Sequence, residues 1–177
     1  MGMYAVLCTL SDKRLAQLEE EPGLLGELLL ACHDTEIPGL LYLDKAWDAL
    51  DLLISDRGKD PVLKDAVLAR TGRHLRASTA FGPAQVLGPE RVREIAAALA
   101  KLPADLVRQR YSRILGAELH GGYGSAIAAP DDVKYVRDKI RETQEREIAE
   151  LERKLAMLVA LYARAAAAGH AMMGAIA

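Results

Sequence analysis

The sequence predicts a mixed α/β fold, a helix-rich layered sandwich whose small sheet forms around the two ends of the chain. A short apolar run suited to a β-strand lies at residues 3–10, and a similar run lies at residues 171–176. Amphipathic helical patterns fill most of the sequence between them. With 177 residues the chain is long enough to bury a core, so we expect one domain over residues 1–177.

Both terminal runs are apolar at nearly every position, which is typical of strands buried on both faces. We expect them to be neighbours at the centre of the sheet. Gly174 in the second run would let a neighbouring segment approach closely. Ser11 follows the first run as the expected N-cap of a helix that reaches about Glu20.

Residues 40–56 contain the only tryptophan of the chain. Apolar positions recur there at the four-three-four spacing of one helical face, and they are Leu43, Trp47, Leu50 and Ile54. Asp44 stands where an N-cap is expected, and Asp48 lies near the positive end of the helix dipole. We therefore predict a core helix that packs on the sheet through Trp47.

The middle of the chain carries three helix-start signals and one weak strand signal. Asp60-Pro61 predicts a helix that ends near Thr71-Gly72, and Gly88-Pro89 predicts a second helix that ends near Pro103, where a third begins. Residues 84–87 are apolar and suit a short strand. A basic cluster, Arg70, Arg73, His74 and Arg76, follows the first of these helices. These cations are either solvated or hold an anion.

The sequence predicts helix over residues 131–168, which would approach about 57 Å in length at ~1.5 Å per residue if it is continuous. An apolar stripe from Ile148 to Tyr162 follows the three-four spacing for two heptads. A charged stretch, residues 141–147, precedes the stripe. The pattern fits a solvent-crossing helix, two helices bent at that stretch, or an arm that forms a homodimer or binds a protein partner through the stripe.

Composition excludes several classes of function. The 25 acidic and 23 basic residues are mixed, so we expect no binding to nucleic acid or to an anionic membrane. Arg164 and His170 interrupt the long, mostly apolar stretch of residues 155–177, so we expect no membrane anchor. Cys8 and Cys32 lack metal-ligand spacing and, with no signal-peptide pattern at the N-terminus, predict reduced core thiols in the cytoplasm.

Candidate site residues come from two places. Asp44, Asp48 and Asp51 share one helical face at i, i+4 and i+7, and the glycine-rich stretch 116–130 carries His120 and Tyr123. We take Asp44, Asp48, His120 and Tyr123 as candidate ligand-binding residues, against the alternative that the carboxylates are capping or solvated. No catalytic constellation, metal-ligand pattern or cofactor motif is found, so no cofactor is predicted.

Two functions therefore stay open. We favour a non-catalytic binding or protein-interaction module, because recognised site chemistry is absent from the sequence. The alternative is a small-molecule or metal-dependent enzyme with a site near the Trp47 helix and the stretch that carries His120. The sequence does not decide whether the protein is an enzyme.

Three segments carry a resemblance to a known family: LDKAWDALDLLISD, FGPAQVLGPERVREIAAALAKL and the final GHAMMGAIA. With the apolar strand near the start, they resemble the DUF1877 or YfbM-like family in order over nearly the whole chain. The resemblance implies one layered α/β domain in a bacterial cytoplasmic protein. It implies no activity and no catalytic residue.

Overall fold

The computed structural model describes residues 3–31, 37–44, 46–114 and 130–177. The strands within these ranges are β1 (Ala5–Leu10), β2 (Leu40–Tyr42), β3 (Arg73–Thr79), β4 (Gly82–Leu87) and β5 (Ala171–Ile176). The α-helices are α1 (Asp12–Glu20), α2 (Leu24–Ala31), α3 (Ala46–Ile54), α4 (Pro89–Leu99), α5 (Leu106–Ile114) and α6 (Pro130–Ala168).

The five strands form one antiparallel sheet in the order β2-β1-β5-β4-β3. The two terminal strands are neighbours near its centre, in a register that runs from Ala5 opposite Ile176 to Leu10 opposite Ala171. This confirms the expected pairing. A Cβ atom on Gly174 would lie 3.1 Å from the carbonyl carbon of Leu68, so the close approach expected at this glycine is also confirmed.

Helices cover both faces of the sheet. Alternate residues of β1 belong to different cores: Leu7 packs with α3, α4, α5 and α6, whereas Val6 and Leu10 pack with α1 and α2. Met172 and Met173 of β5 divide between the same two cores. The mixed α/β sandwich is therefore confirmed, because strands buried on both faces need a helical layer on each side.

Local start and stop signals place three helix ends where the sequence predicts them. The Oγ of Ser11 accepts a hydrogen bond from the Arg14 amide at 3.3 Å, as an N-cap does. Gly88 precedes α4, with Pro89 in its first turn. Gly169 adopts φ +66 after α6, and the His170 amide closes the helix on the Ala165 carbonyl at 2.9 Å.

The prediction for residues 40–56 is only partly right. The segment begins as β2, and α3 starts at Ala46. Asp44 lies outside the N-cap position with φ +46, whereas an N-cap residue is extended. Trp47 is half-buried at the rim of the core, and its Nε1 donates to the Met3 carbonyl at 3.4 Å. The fully buried side chains of α3 are those of Leu50, Leu53 and Ile54.

The helix predicted to start at Asp60-Pro61 is wrong beyond its first turn. Asp60 does act as a cap, because its Oδ1 accepts from the amides of Val62 and Leu63, both at 2.8 Å. Only one short 3-10 turn follows, over Leu63–Asp65, and the rest is a succession of turns. Three residues of the basic cluster, Arg73, His74 and Arg76, belong to strand β3, which the sequence reasoning missed, whereas Arg70 lies in the turn before it.

Helix α6 runs as one helix of 39 residues rather than as two. Its apolar stripe is buried within the chain itself, in the core that α6 shares with α3, α4 and α5. The buried residues of the stripe are Ile148, Leu151, Leu155, Leu158 and Tyr162. Because this apolar area is covered within the chain, the stripe is not free as a dimerisation surface, and the expectation of a homodimer or protein partner stays a prediction. Within the described ranges, no helix combines the length and the apolar character needed to cross a membrane.

Candidate functional site

The structure describes two of the four candidate ligand-binding residues, Asp44 and Asp48, and places them differently. Asp44 lines a surface groove beside the start of α3, whereas Asp48 is exposed and lies outside that groove's lining. His120 and Tyr123 lie outside the described residues, as do Cys32 and the stretch around it. The pairing of Asp48 with His120 therefore stays a prediction.

Asp51 is buried rather than turned to water. Its carboxylate accepts a hydrogen bond from Arg70, one of the residues assigned to the basic cluster. Burial raises the pKa of Asp51, and Arg70 opposes that rise. The other oxygen of Asp51 has no hydrogen-bond partner among the described residues. Asp51 and Arg70 therefore tie α3 to the turn before β3.

The groove lies between the start of α3, helix α5 and the middle of α6, and we call it the α3–α6 groove. Its volume is about 450 Å³. The residues that line it are Asp44, Ala46, Ala49, Tyr111, Arg146, Glu147, Glu150 and Leu151. Two small alanines on α3 leave the space, and the buried side chain of Leu151 forms part of the bottom.

A tyrosine–carboxylate pair joins α5 to α6 in this groove. The hydroxyl of Tyr111 donates to Glu147, and the tyrosine is otherwise buried. Burial raises the pKa of Tyr111, and the neighbouring Glu147 carboxylate raises it further. Tyr111 therefore stays a neutral donor at ordinary pH and leaves the negative charge of Glu147 in place.

The remaining charged side chains of the rim differ in how they are paired. Arg146 is paired with Glu142, and Glu150 is paired with Arg153 at 2.7 Å. Hydrogen bonding from Arg153 lowers the pKa of Glu150. Among the described residues, Asp44 and Glu147 form no ion pair. The lining thus has three carboxylates against one guanidinium.

Lys154 lies one turn beyond Glu150 and is buried. Its Nζ donates to the Tyr42 carbonyl at 2.7 Å and lies 4.0 Å from Glu150. Burial lowers the pKa of Lys154, and the nearby Arg153 lowers it further. This contact fixes the edge strand β2 to α6, two residues before Asp44.

A second polar cluster, which the sequence reasoning missed, holds the turns before β3 against α4. The fully buried carboxylate of Asp65 accepts from Thr71 Oγ1 at 2.6 Å and from Arg91 Nη2 at 2.7 Å. Arg91 also donates to the Pro61 carbonyl at 2.7 Å. The hydroxyl of Tyr162 is buried without a partner in the described part of the chain, and burial raises the pKa of Tyr162. The guanidinium of Arg91 is engaged by the fold, so we assign this cluster a structural role.

The basic cluster does not form one anion site. Arg70 pairs with Asp51 and Arg73 pairs with Glu19. A depression of about 500 Å³ beside β3 is lined by His74, Arg76 and Arg73 together with the carboxylates of Glu19 and Glu20. These two glutamates offset the two arginines, so the depression lacks the excess of positive charge that an anion needs.

Metal-ligating side chains do not converge in the part of the chain that the structure describes. These ranges contain no group of three or more histidine, cysteine, aspartate or glutamate side chains placed to hold a metal ion. Cys8 is a free thiol buried under α1 and α2, and burial raises its pKa to about 11. A thiol protonated at neutral pH is a poor nucleophile and a poor ligand.

Comparison with known proteins supports the fold and leaves the activity open. A family model described as a domain of unknown function, DUF1877, matches residues 1–174. The crystal structure of YfbM from Escherichia coli, a protein of unknown function, has a similar fold with a TM-score of 0.61 and 16% sequence identity. The match covers 98% of this chain and 99% of that chain. No curated protein matches significantly.

Proposed function

The chain belongs to the DUF1877 family, and from its geometry we propose that it is a non-catalytic protein-interaction module of the cytoplasm. The observation that carries the proposal is the α3–α6 groove, an open and largely apolar depression of about 450 Å³ with a charged rim. Interfaces commonly combine an apolar centre with a polar rim of this kind.

The charged and polar side chains at the rim of the groove are better suited to docking a partner than to catalysis. A general base or a nucleophile needs a free group with a pKa near the working pH. Here Tyr111 is engaged by Glu147 with a raised pKa, and Glu150 is engaged by Arg153 with a lowered pKa. Both groups are therefore held away from the protonation states that would make them useful catalysts at neutral pH.

Blocking the groove tests the proposal. Ala49→Trp and Arg146→Trp each place a large side chain in it, and Arg146 is exposed, so its substitution spares the core. The control is Ala16→Trp, an exposed position on α1 in the opposite layer. We expect a stoichiometric partner captured from a lysate of the source cells to be lost with both groove variants and kept with the control.

The alternative function, a small-molecule or metal-dependent enzyme near the Trp47 helix, gives the opposite results. Partner capture would then be indifferent to Arg146→Trp. A metabolite or a divalent cation would instead raise the melting temperature in a saturable way. Either of these results would overturn the interaction module, and melting curves of all three variants would show that each is folded.

A further inference from the structure

The charge of the α3–α6 groove indicates what kind of partner it binds, an inference that rests on the proposed function. Asp44 lies in the turn between β2 and α3, Glu147 lies in the middle of α6, and both line the same depression. Neither has an ion-pair partner in the part of the chain that the structure describes. Two carboxylates without an ion-pair partner among the described residues thus face a mostly apolar space.

The cations nearby offset this charge only in part. Arg146 lies on the rim but is directed to Glu142, and Arg153 is directed to Glu150. The ammonium of Lys154 is buried on the Tyr42 carbonyl; it attracts Asp44 electrostatically but forms no ion pair with that carboxylate. Tyr111 donates a hydrogen bond to Glu147 while remaining neutral, so it orients that carboxylate without cancelling it.

We propose that the α3–α6 groove docks a positively charged segment of a partner protein, with a lysine or arginine side chain between Asp44 and Glu147 and small apolar side chains against Ala46, Ala49 and Leu151. Opposite charge on the two surfaces speeds association and excludes acidic competitors. The alanines leave room for an arriving chain, because a larger side chain on α3 would fill the depression.

A random peptide library displayed on phage reports the chemistry of the occupant directly, because the selection needs no purified partner. Clones are selected on the whole protein and then depleted on Arg146→Trp, so that only groove-dependent sequences remain. We expect those sequences to be enriched in lysine and arginine. Groove-dependent sequences that are acidic or uncharged would overturn the cationic occupant while leaving the interaction module intact. If no clone depends on the groove, the interaction module itself fails.

The best synthetic peptide then tests the two carboxylates directly. We expect Asp44→Asn with Glu147→Gln to weaken its binding roughly fivefold to tenfold, and the exposed control Asp12→Asn to leave the binding unchanged. Asparagine tolerates the left-handed backbone of residue 44, so the substitution is not a test of folding. Raising salt from about 0.05 to about 0.5 M should weaken the parent complex more than the double-variant complex. Equal affinity of the two proteins, or equal salt sensitivity, would overturn the inference.

Discussion

Asp65→Asn removes the charge of a carboxylate that the fold buries completely while keeping the shape of the side chain. The parent oxygens accept from the Thr71 amide at 3.0 Å, from Thr71 Oγ1 at 2.6 Å and from Arg91 at 3.1 and 2.7 Å. An asparagine offers one acceptor oxygen and turns an NH2 group towards these donors. Arg91 then loses most of its counter-charge inside the protein.

Breaking a buried ion pair by changing one partner costs about 3–5 kcal/mol. We expect a loss of about 3 kcal/mol, at the lower end, because Arg91 is 26% exposed and keeps its bonds to Pro61 and Glu94. Urea denaturation would show this as a midpoint lowered by roughly 1–2 M at an unchanged slope.

The matched control is Glu94→Gln, which removes the other carboxylate that Arg91 contacts. Its side chain is 59% exposed, so water screens the pair and we expect a loss below about 1 kcal/mol. A double-mutant cycle with Arg91→Met isolates the Asp65–Arg91 coupling. An Asp65→Asn protein within about 1 kcal/mol of the parent would refute the assignment of this cluster as the tie between the turns and α4.

Three further predictions concern burial and close contacts. Trp47→Ala should lower the free energy of unfolding, measured in urea, by about 1–3 kcal/mol, which is less than the loss of a core tryptophan. Iodide should partly quench the fluorescence of Trp47 in the folded protein, and complete protection would show that the side chain is buried. Deleting residues 170–177 removes the central strand β5, so calorimetry should find no cooperative transition, and a melt like the parent's would contradict the sheet order. Gly174→Val should lower the free energy of unfolding by about 1–3 kcal/mol, because the added side chain meets the Leu68 backbone. Gly26→Ala in α2, where an added Cβ meets nothing within 4 Å, should raise it by about 0.5–1 kcal/mol, and equal effects of the two variants would rule out the close approach at Gly174.

Sequence patterns predicted the sheet centre because it is where both faces of a strand are buried. A continuous apolar run leaves few alternatives for β1 and β5. Strand β3 escaped because its buried residues are only Leu75 and Ala77, set among exposed charged and polar residues. Edge strands often carry charged residues, because these discourage pairing with other chains. In the sequence those charges conceal the strand pattern.

The helix predicted from Asp60 failed for a different reason. The cap forms as expected, but a cap fixes only the first turn. The residues that follow, from Val62 to Ala69, are almost all buried, so no polar face is left to solvent. Packing on several sides then decides the backbone path, and Ala69 even adopts φ +52. Tertiary contacts overrode local helical preference.

The candidate site could be predicted only where it is local. Asp44 was found because it stands beside an amphipathic pattern, although its role as a cap was wrong. Tyr111 and Glu147 are 36 residues apart and meet only because α5 packs on α6. A tyrosine on an apolar helix face is usually a core residue, and nothing in the spacing of α5 indicates that its hydroxyl reaches a carboxylate on another helix.

The apolar stripe on α6 shows that a heptad pattern does not reveal whether the face is buried within the chain or against a second chain. Leu151 and Leu155 are buried in the core that α6 shares with α3, α4 and α5, and a second chain could have covered the same positions. The periodicity measures only that one face must be covered. With that face covered internally, the exposed face of α6 retains alternating charges such as Glu145, Arg146 and Arg153. Association through this exposed face is therefore expected to have a charged component that salt weakens, as for a docked charged segment.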